Sequence, residues 1–188
     1  MPRIDASVRT QHRSAGFTLI ELLIVVAIVG VVAGIAVPSL MRARMAGNEA
    51  SAIGSLRAIN SAEASFASTC ASGFYAIALD DLAKPPTSGS GSDPFISPDL
   101  PTNGITKSGY IVTVVKSADP ATRNMAPVLT CNGAAGTPAS GYFASANPVT
   151  PGGTGRRFFA TEVRGTIMQD TAAAIANPIP AGASPVQE

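Results

Sequence analysis

Residues 16–38 read GFTLIELLIVVAIVGVVAGIAVP, and this stretch decides how the rest of the chain is read. From Phe17 to Met41 the sequence is apolar for 25 residues with a single charge, Glu21. At about 1.5 Å per residue in a helix, such a run is long enough to cross a hydrocarbon core of about 30 Å. An unbroken apolar run of this length is foreign to soluble core helices, so the segment reads as a membrane span.

Outward to the N-terminus, residues 1–16 are polar and basic: Arg3, Arg9 and Arg13 stand against Asp5. A secretory signal peptide places its small-residue cleavage site after the apolar stretch. Here the small pair Ala15-Gly16 comes before it, so a cut there would remove the polar leader and keep the anchor. Hydropathy equally allows an ordinary uncleaved anchor with Gly16 as a loop glycine. The leader arginines favour a cytoplasmic N-terminus, and Arg42 and Arg44 beyond the span weaken that bias.

Outward to the C-terminus, Pro38 lacks a backbone N–H and crowds the preceding turn, so it is expected to kink or open the helix. Gly30 and Gly34 weaken the same stretch by roughly 1 kcal/mol each relative to alanine. Beyond Pro38, Met45, Ala52, Ile53, Leu56, Ile59 and Phe66 recur at helical spacing and predict one apolar face. Arg42, Arg44, Glu49, Arg57 and Glu63 are read as its wetter sides. One helix is therefore expected from Phe17 to about Ser68, closed by Gly73. Small residues at Ala27, Gly30, Ala33 and Gly34 allow close approach of membrane-buried helices.

The stretch GFTLIELLIVVAIVGVVAGIAVP closely resembles the signature of type IV prepilins and the related pseudopilins. The following MRARMAGNEASAIGSLRAINSAEASFAS is similar to the helix of a bacterial pilin-like group, and KSGYIVTV and TGRRFFATEVRGTI resemble its sheet segments. The resemblance implies cleavage by a prepilin peptidase between Gly16 and Phe17, and methylation of the new amine of Phe17. It implies that Glu21 supports assembly by meeting the N-terminal amine of a neighbouring subunit. It also implies that the helix around Gly30, Gly34 and Pro38 is loosened in filaments. The partners it implies are copies of the chain itself, the prepilin peptidase, an inner-membrane assembly platform and membrane lipid. The location it implies is the inner membrane as a single pass, then an extracellular pilus or a periplasmic pseudopilus.

From the residues alone, Glu21 lies only about 6 Å along the helix from Phe17 and has two readings. One is an interfacial carboxylate that reaches water. The other is a group needing a cation once packing excludes water, with the freed Phe17 amine nearest.

The expected fold is α+β, with a small antiparallel sheet of three or four strands packed on the C-terminal half of the long helix. The expected division is a leader over 1–16, a transmembrane and filament-core helix over 17–41, and its amphipathic continuation over 42–72. A connecting loop follows over 73–108, a sheet region over 109–176 and a flexible tail over 177–188. Tyr110–Val115, Gly141–Ala146, Phe158–Glu162 and Thr166–Gln169 are the expected strands. Ala76–Ala83 offers a turn of helix, and Pro85–Pro101 a surface loop.

Cys70 and Cys131 would sit outside the inner membrane, where a disulfide persists, and could staple helix to sheet. This pairing differs from the C-terminal disulfide loop of some pilins. The two cysteines have no short metal-ligand spacing, and the one histidine, His12, lies in the leader; no metal or cofactor is expected.

A net charge of +1 in 188 residues argues no nucleic-acid footprint. Asp80-Asp81 reads as a solvated pair. Gly152-Gly153-Thr154-Gly155 before Arg156-Arg157 reads as a hairpin loop, since it lacks the phosphate-loop pattern. No catalytic constellation is found. A pilus subunit is therefore expected, with a pseudopilin of a type II secretion system as the alternative and a membrane-tethered binding domain as the remote one.

Overall fold

The computed structural model describes residues 16–87, 93–125 and 130–187. The leader expected over 1–16, apart from Gly16, lies outside these residues, as do positions 88–92 of the expected surface loop. The chain divides into two compact units, one ending at Leu40 and the other beginning at Met41.

Helix α1 runs from Leu19 to Thr69, 51 residues, and continues through Pro38. The missing N–H of Pro38 leaves the helix assigned as a single element, and the Ser39 hydroxyl donates back to the Ala36 carbonyl at 2.9 Å. In the first unit the large apolar side chains of α1 are exposed. Among the described residues, α1 is the one helix long and apolar enough to cross a membrane. Past Thr69 the backbone turns left-handed at Ser72 and Gly73 (φ 52° and 91°), and the Gly73 N–H donates to the Ala67 carbonyl. Glycine suits this conformation, which ends the helix as its position predicts.

In the second unit a short helix, α2 (Leu79–Leu82), precedes six strands: β1 (Ile105–Lys107), β2 (Tyr110–Lys116), β3 (Tyr142–Pro148), β4 (Phe158–Glu162), β5 (Ile167–Asp170) and β6 (Ser184–Pro185). They form one sheet in sequence order, every neighbouring pair antiparallel. Alternation sets its faces: Tyr110, Val112 and Val114 of β2 point inward. Val112 pairs with Ala146 and Val114 with Ala144, so each inward valine has an alanine beside it. That leaves depth for Leu56, Ile59 and Phe66 of α1, which share one core with Tyr110, Phe159 and the valines. Each such large side chain contributes roughly 1.5–3 kcal/mol on burial. The apolar face read from periodicity is thus the face the sheet covers.

The structure corrects several expectations. The sheet has six strands rather than three or four. Strand β1 lies in the segment read as the 73–108 connector, and β6 lies in the tail read as flexible over 177–188. Both are too short, at three and two residues, to show a period; pairing with a neighbour makes them strands. The tail is held elsewhere too: Asn177 Nδ2 donates to the Lys116 carbonyl, the Ala118 N–H to Asn177 Oδ1, and the Ile179 N–H to Glu162 Oε1. Pro185 sits at the sheet edge, where its missing N–H costs least.

Glu49 and Glu63, read as lying on the wetter sides of α1, are both buried, and so is Asp81 of the supposedly solvated pair. Asp80 remains at the surface, taking the Thr102 hydroxyl at 2.8 Å. In each buried case backbone N–H groups with no helix or sheet partner require an acceptor, and the carboxylates supply it.

Candidate functional site

At the start of α1, Gly16 and Phe17 precede the helix and are exposed, Phe17 by 74%. Thr18 is the N-cap. Its hydroxyl accepts the Glu21 N–H at 3.3 Å and lies 3.3 Å from Glu21 Oε2, to which it donates. The first intrahelical bond follows, Leu22 N–H to the Thr18 carbonyl at 3.2 Å. Thr-x-x-Glu at a helix start is the capping-box pattern, in which the threonine satisfies an N–H that has no helical partner. The local signal for this cap is the pattern TLIE at residues 18–21. Glu21 is also the acidic residue of the first turn, where the positive end of the helix dipole favours a carboxylate.

Beyond Glu21 the helix presents apolar side chains on every side up to Met41. Gly30 and Gly34 have open space where a side chain would stand, so nothing among the described residues demands glycine there. Pro38 is enclosed within helical turns. A cylinder of this kind, apolar all round, has no stable aqueous surface; lipid or other apolar helices must cover it.

In the second unit the same helix is committed to its own sheet. Glu49 gathers the segment entering β4: Oε1 accepts the Arg156 and Arg157 N–H groups at 2.8 and 3.3 Å, and Oε2 accepts Arg157 Nε at 2.7 Å. Arg157 reaches on to Gln169 Oε1 and lies over the Phe159 ring, 5.2 Å from its centroid. Arg157 is thus committed inside the fold. The 152–155 stretch is a hairpin loop, and a Cβ on Gly155 would overlap the Tyr110 hydroxyl. Tyr110 donates that hydroxyl to the Arg157 carbonyl at 2.9 Å.

Cys70 and Cys131 are bridged, with Cα atoms 4.8 Å apart across a separation of 61 residues. The Cys131 N–H also donates to the Cys70 carbonyl. Asp81 holds the same region, accepting the Ala135 and Gly136 N–H groups, while Asn132 Nδ2 donates to the Asp81 carbonyl. Among the described residues, no group of three or more His, Cys, Asp or Glu side chains is placed to hold a metal.

The prokaryotic N-terminal methylation motif matches residues 11–37. The chain is 43% identical over 58 residues to the type IV major pilin protein PilA of Myxococcus xanthus (strain DK1622). That alignment covers 31% of this chain and 26% of the relative, about a quarter of the relative's length. No solved structure matches the chain. The similarity to type IV pilins thus lies in part of this chain and covers about a quarter of that relative.

Proposed function

We propose that this pilin-like chain is the subunit of a type IV pilus, made as a precursor and polymerised through its N-terminal helix. A prepilin peptidase cuts between Gly16 and Phe17 and methylates the Phe17 amine. The stretch from Phe17 to Met41 then holds the subunit in the inner membrane, with its N-terminus cytoplasmic. An assembly platform transfers it into a helical homopolymer.

The observation that carries this reading is the contrast along α1. From Glu49 onward one face of the helix is covered by the sheet, whereas from Leu19 to Met41 the large apolar side chains are uncovered. The fold leaves that surface to an environment outside the subunit. Lipid supplies it before assembly, and sister helices supply it afterwards, with Ala27, Gly30, Ala33 and Gly34 permitting close approach.

Glu21 fits this passage. At the capped first turn it stays near the membrane surface, where a carboxylate avoids the roughly 2.5–3.5 kcal/mol insertion cost of the bilayer centre. In the packed filament water is gone, and the freed amine of Phe17 on a neighbour supplies the opposite charge.

Sheared surface filaments should contain this chain with Phe17 as its first residue, carrying one added methyl. An intact Met1 in filaments would overturn the reading. Filaments confined to the periplasm, dependent on a secretion channel, would assign the chain to a pseudopilus instead.

A further inference from the structure

Glu63 has no exposure, and among the described residues no lysine, arginine or histidine donates to it. Its Oε2 accepts the Ala76 N–H at 2.8 Å, while Oε1 is buried without any hydrogen-bond partner. Asp81 of α2, also buried, adds a smaller repulsion. From β3 the group facing Glu63 is the Tyr142 phenol, which donates to Asn60 Oδ1 and packs on the Tyr75 ring with centroids 5.2 Å apart. Lys84 lies 3.9 Å from Asp81 Oδ1. The 130–136 loop brings no ionisable side chain, because Cys131 is in the bridge. A carboxylate in such a place, with one oxygen bare, is costly unless it takes up a proton.

The segment beside Glu63, residues 71–78, has Ala71 and Ala76 buried in the core, and few hydrogen bonds tie its backbone to the rest of the fold. One antiparallel bridge, Tyr75 to Ala139, and the bond from Ala76 to Glu63 fasten its middle. Its ends are fixed, by the Cys70–Cys131 bridge before it and by the Leu79 N–H on Asn103 Oδ1 after it.

We propose that Glu63 is held as the neutral carboxylic acid and forms an acid-tightened latch, closing residues 71–78 onto α1 and releasing them when it ionises. Opening lets water reach Oε1, and the proton leaves to solvent. The disulfide keeps the released segment tethered, so the motion is local and reversible.

Burial, more than the opposing Asp81, pushes the Glu63 carboxyl up to about 8, against the lowering by the Ala76 N–H. The closed form therefore binds a proton that the open form releases, at every pH between the ordinary carboxyl value, 4.5, and about 8. Within that window the opening constant rises about tenfold per pH unit, and it levels off above the upper limit.

Amide hydrogen exchange on the full-length protein in detergent tests this. After correction for intrinsic rates, protection at Tyr75 and Ala76 should fall about tenfold per unit between about pH 5.5 and about pH 8. Protection at Val112 and Val114 should hold. Glu63→Gln keeps an acceptor for the Ala76 N–H but cannot ionise, so its protection should not change with pH. Should that variant misfold, the infrared band of a protonated carboxyl in the unaltered protein gives a second reading: present at about pH 6.5, lost above about pH 8. Flat protection in the unaltered protein, the same slope in Glu63→Gln, or absence of the protonated band would each overturn the proposal.

Discussion

Glu49 of α1 and Arg157 at the entry to β4, 108 residues apart in sequence, meet in an ion pair of 2.7 Å. The same carboxylate takes two backbone N–H groups from the segment that leads into the strand. The pair is therefore a joint between helix and sheet rather than a surface decoration. Its carboxylate is nearly enclosed, at 10% exposure, while the arginine side chain is 35% exposed.

Glu49→Ala should cost about 2–3 kcal/mol of unfolding free energy, since it strands two N–H donors and a guanidinium. Partial exposure of Arg157 keeps the figure below that for a fully buried pair. Glu49→Gln, which retains acceptors without charge, should cost less. Denaturant titration of the full-length protein in detergent measures both, and a Glu49→Ala change below about 0.5 kcal/mol would place the pair among ordinary surface contacts.

Gly155 should tolerate no side chain. A Cβ there collides with the Tyr110 hydroxyl, whose ring is fully buried and cannot withdraw. Gly155→Ala should lose about 1–3 kcal/mol, as overpacked sites do. Gly30→Ala, with open space around it, should leave the subunit at least as stable. Equal stability of Gly155→Ala and the unaltered protein would show that the hairpin can shift at no cost.

Non-reducing peptide mapping of exported protein should recover a Cys70–Cys131 linked peptide. Replacing both by serine should cost roughly 4 kcal/mol in the chain-entropy treatment of a loop of this length. Complete alkylation of both thiols without prior reduction would refute the bridge.

At the N-terminus two variants separate assembly from capping. Glu21→Leu removes a charge from the membrane segment, so the precursor should insert and be cut normally. Sheared-filament yield should nevertheless fall sharply, because a buried amine then has no counter-charge. Thr18→Val removes the cap, worth about 1 kcal/mol, and leaves the carboxylate. Its filament yield should fall much less. Normal yield from Glu21→Leu would leave Glu21 as an interfacial residue. Gly16→Val should accumulate uncut precursor, and its efficient cleavage would remove the assigned processing site.

The pH profile of stability has two limbs of opposite sign. The Asp80 carboxyl is held below its ordinary value chiefly by the Thr102 hydroxyl, and Asp99 chiefly by Lys107. Their contribution is present above the ordinary carboxyl value, 3.8, and is lost as pH falls below it. Glu63, raised to about 8, acts the other way: its contribution is complete below 4.5 and is lost as pH rises to about 8. Thermal melts of the full-length protein should show a maximum on the acid side of neutrality, and Glu63→Gln should flatten the alkaline limb. An alkaline limb of unchanged steepness in that variant would assign the loss to other groups.

The sequence by itself determined the helix, its exposed apolar half and the face that meets the sheet. Long periodic or unbroken apolar patterns depend only on local spacing, and α1 from Leu19 to Thr69 carries both. The strand Phe158–Glu162 was legible for the same reason, being aromatic, β-branched and bounded by turns. The TLIE cap was legible too, because capping is a contact over three residues. Tertiary structure alone decided which charges are inside. Glu49, Glu63 and Asp81 look like any solvated acids in one dimension, and become acceptors only when the 156–157, 76 and 135–136 backbones arrive beside them. It also decided β1 and β6, whose few residues have no pattern of their own. Their hydrogen-bonding partners come from β2 and β5, and no local rule specifies a partner that distant folding must deliver.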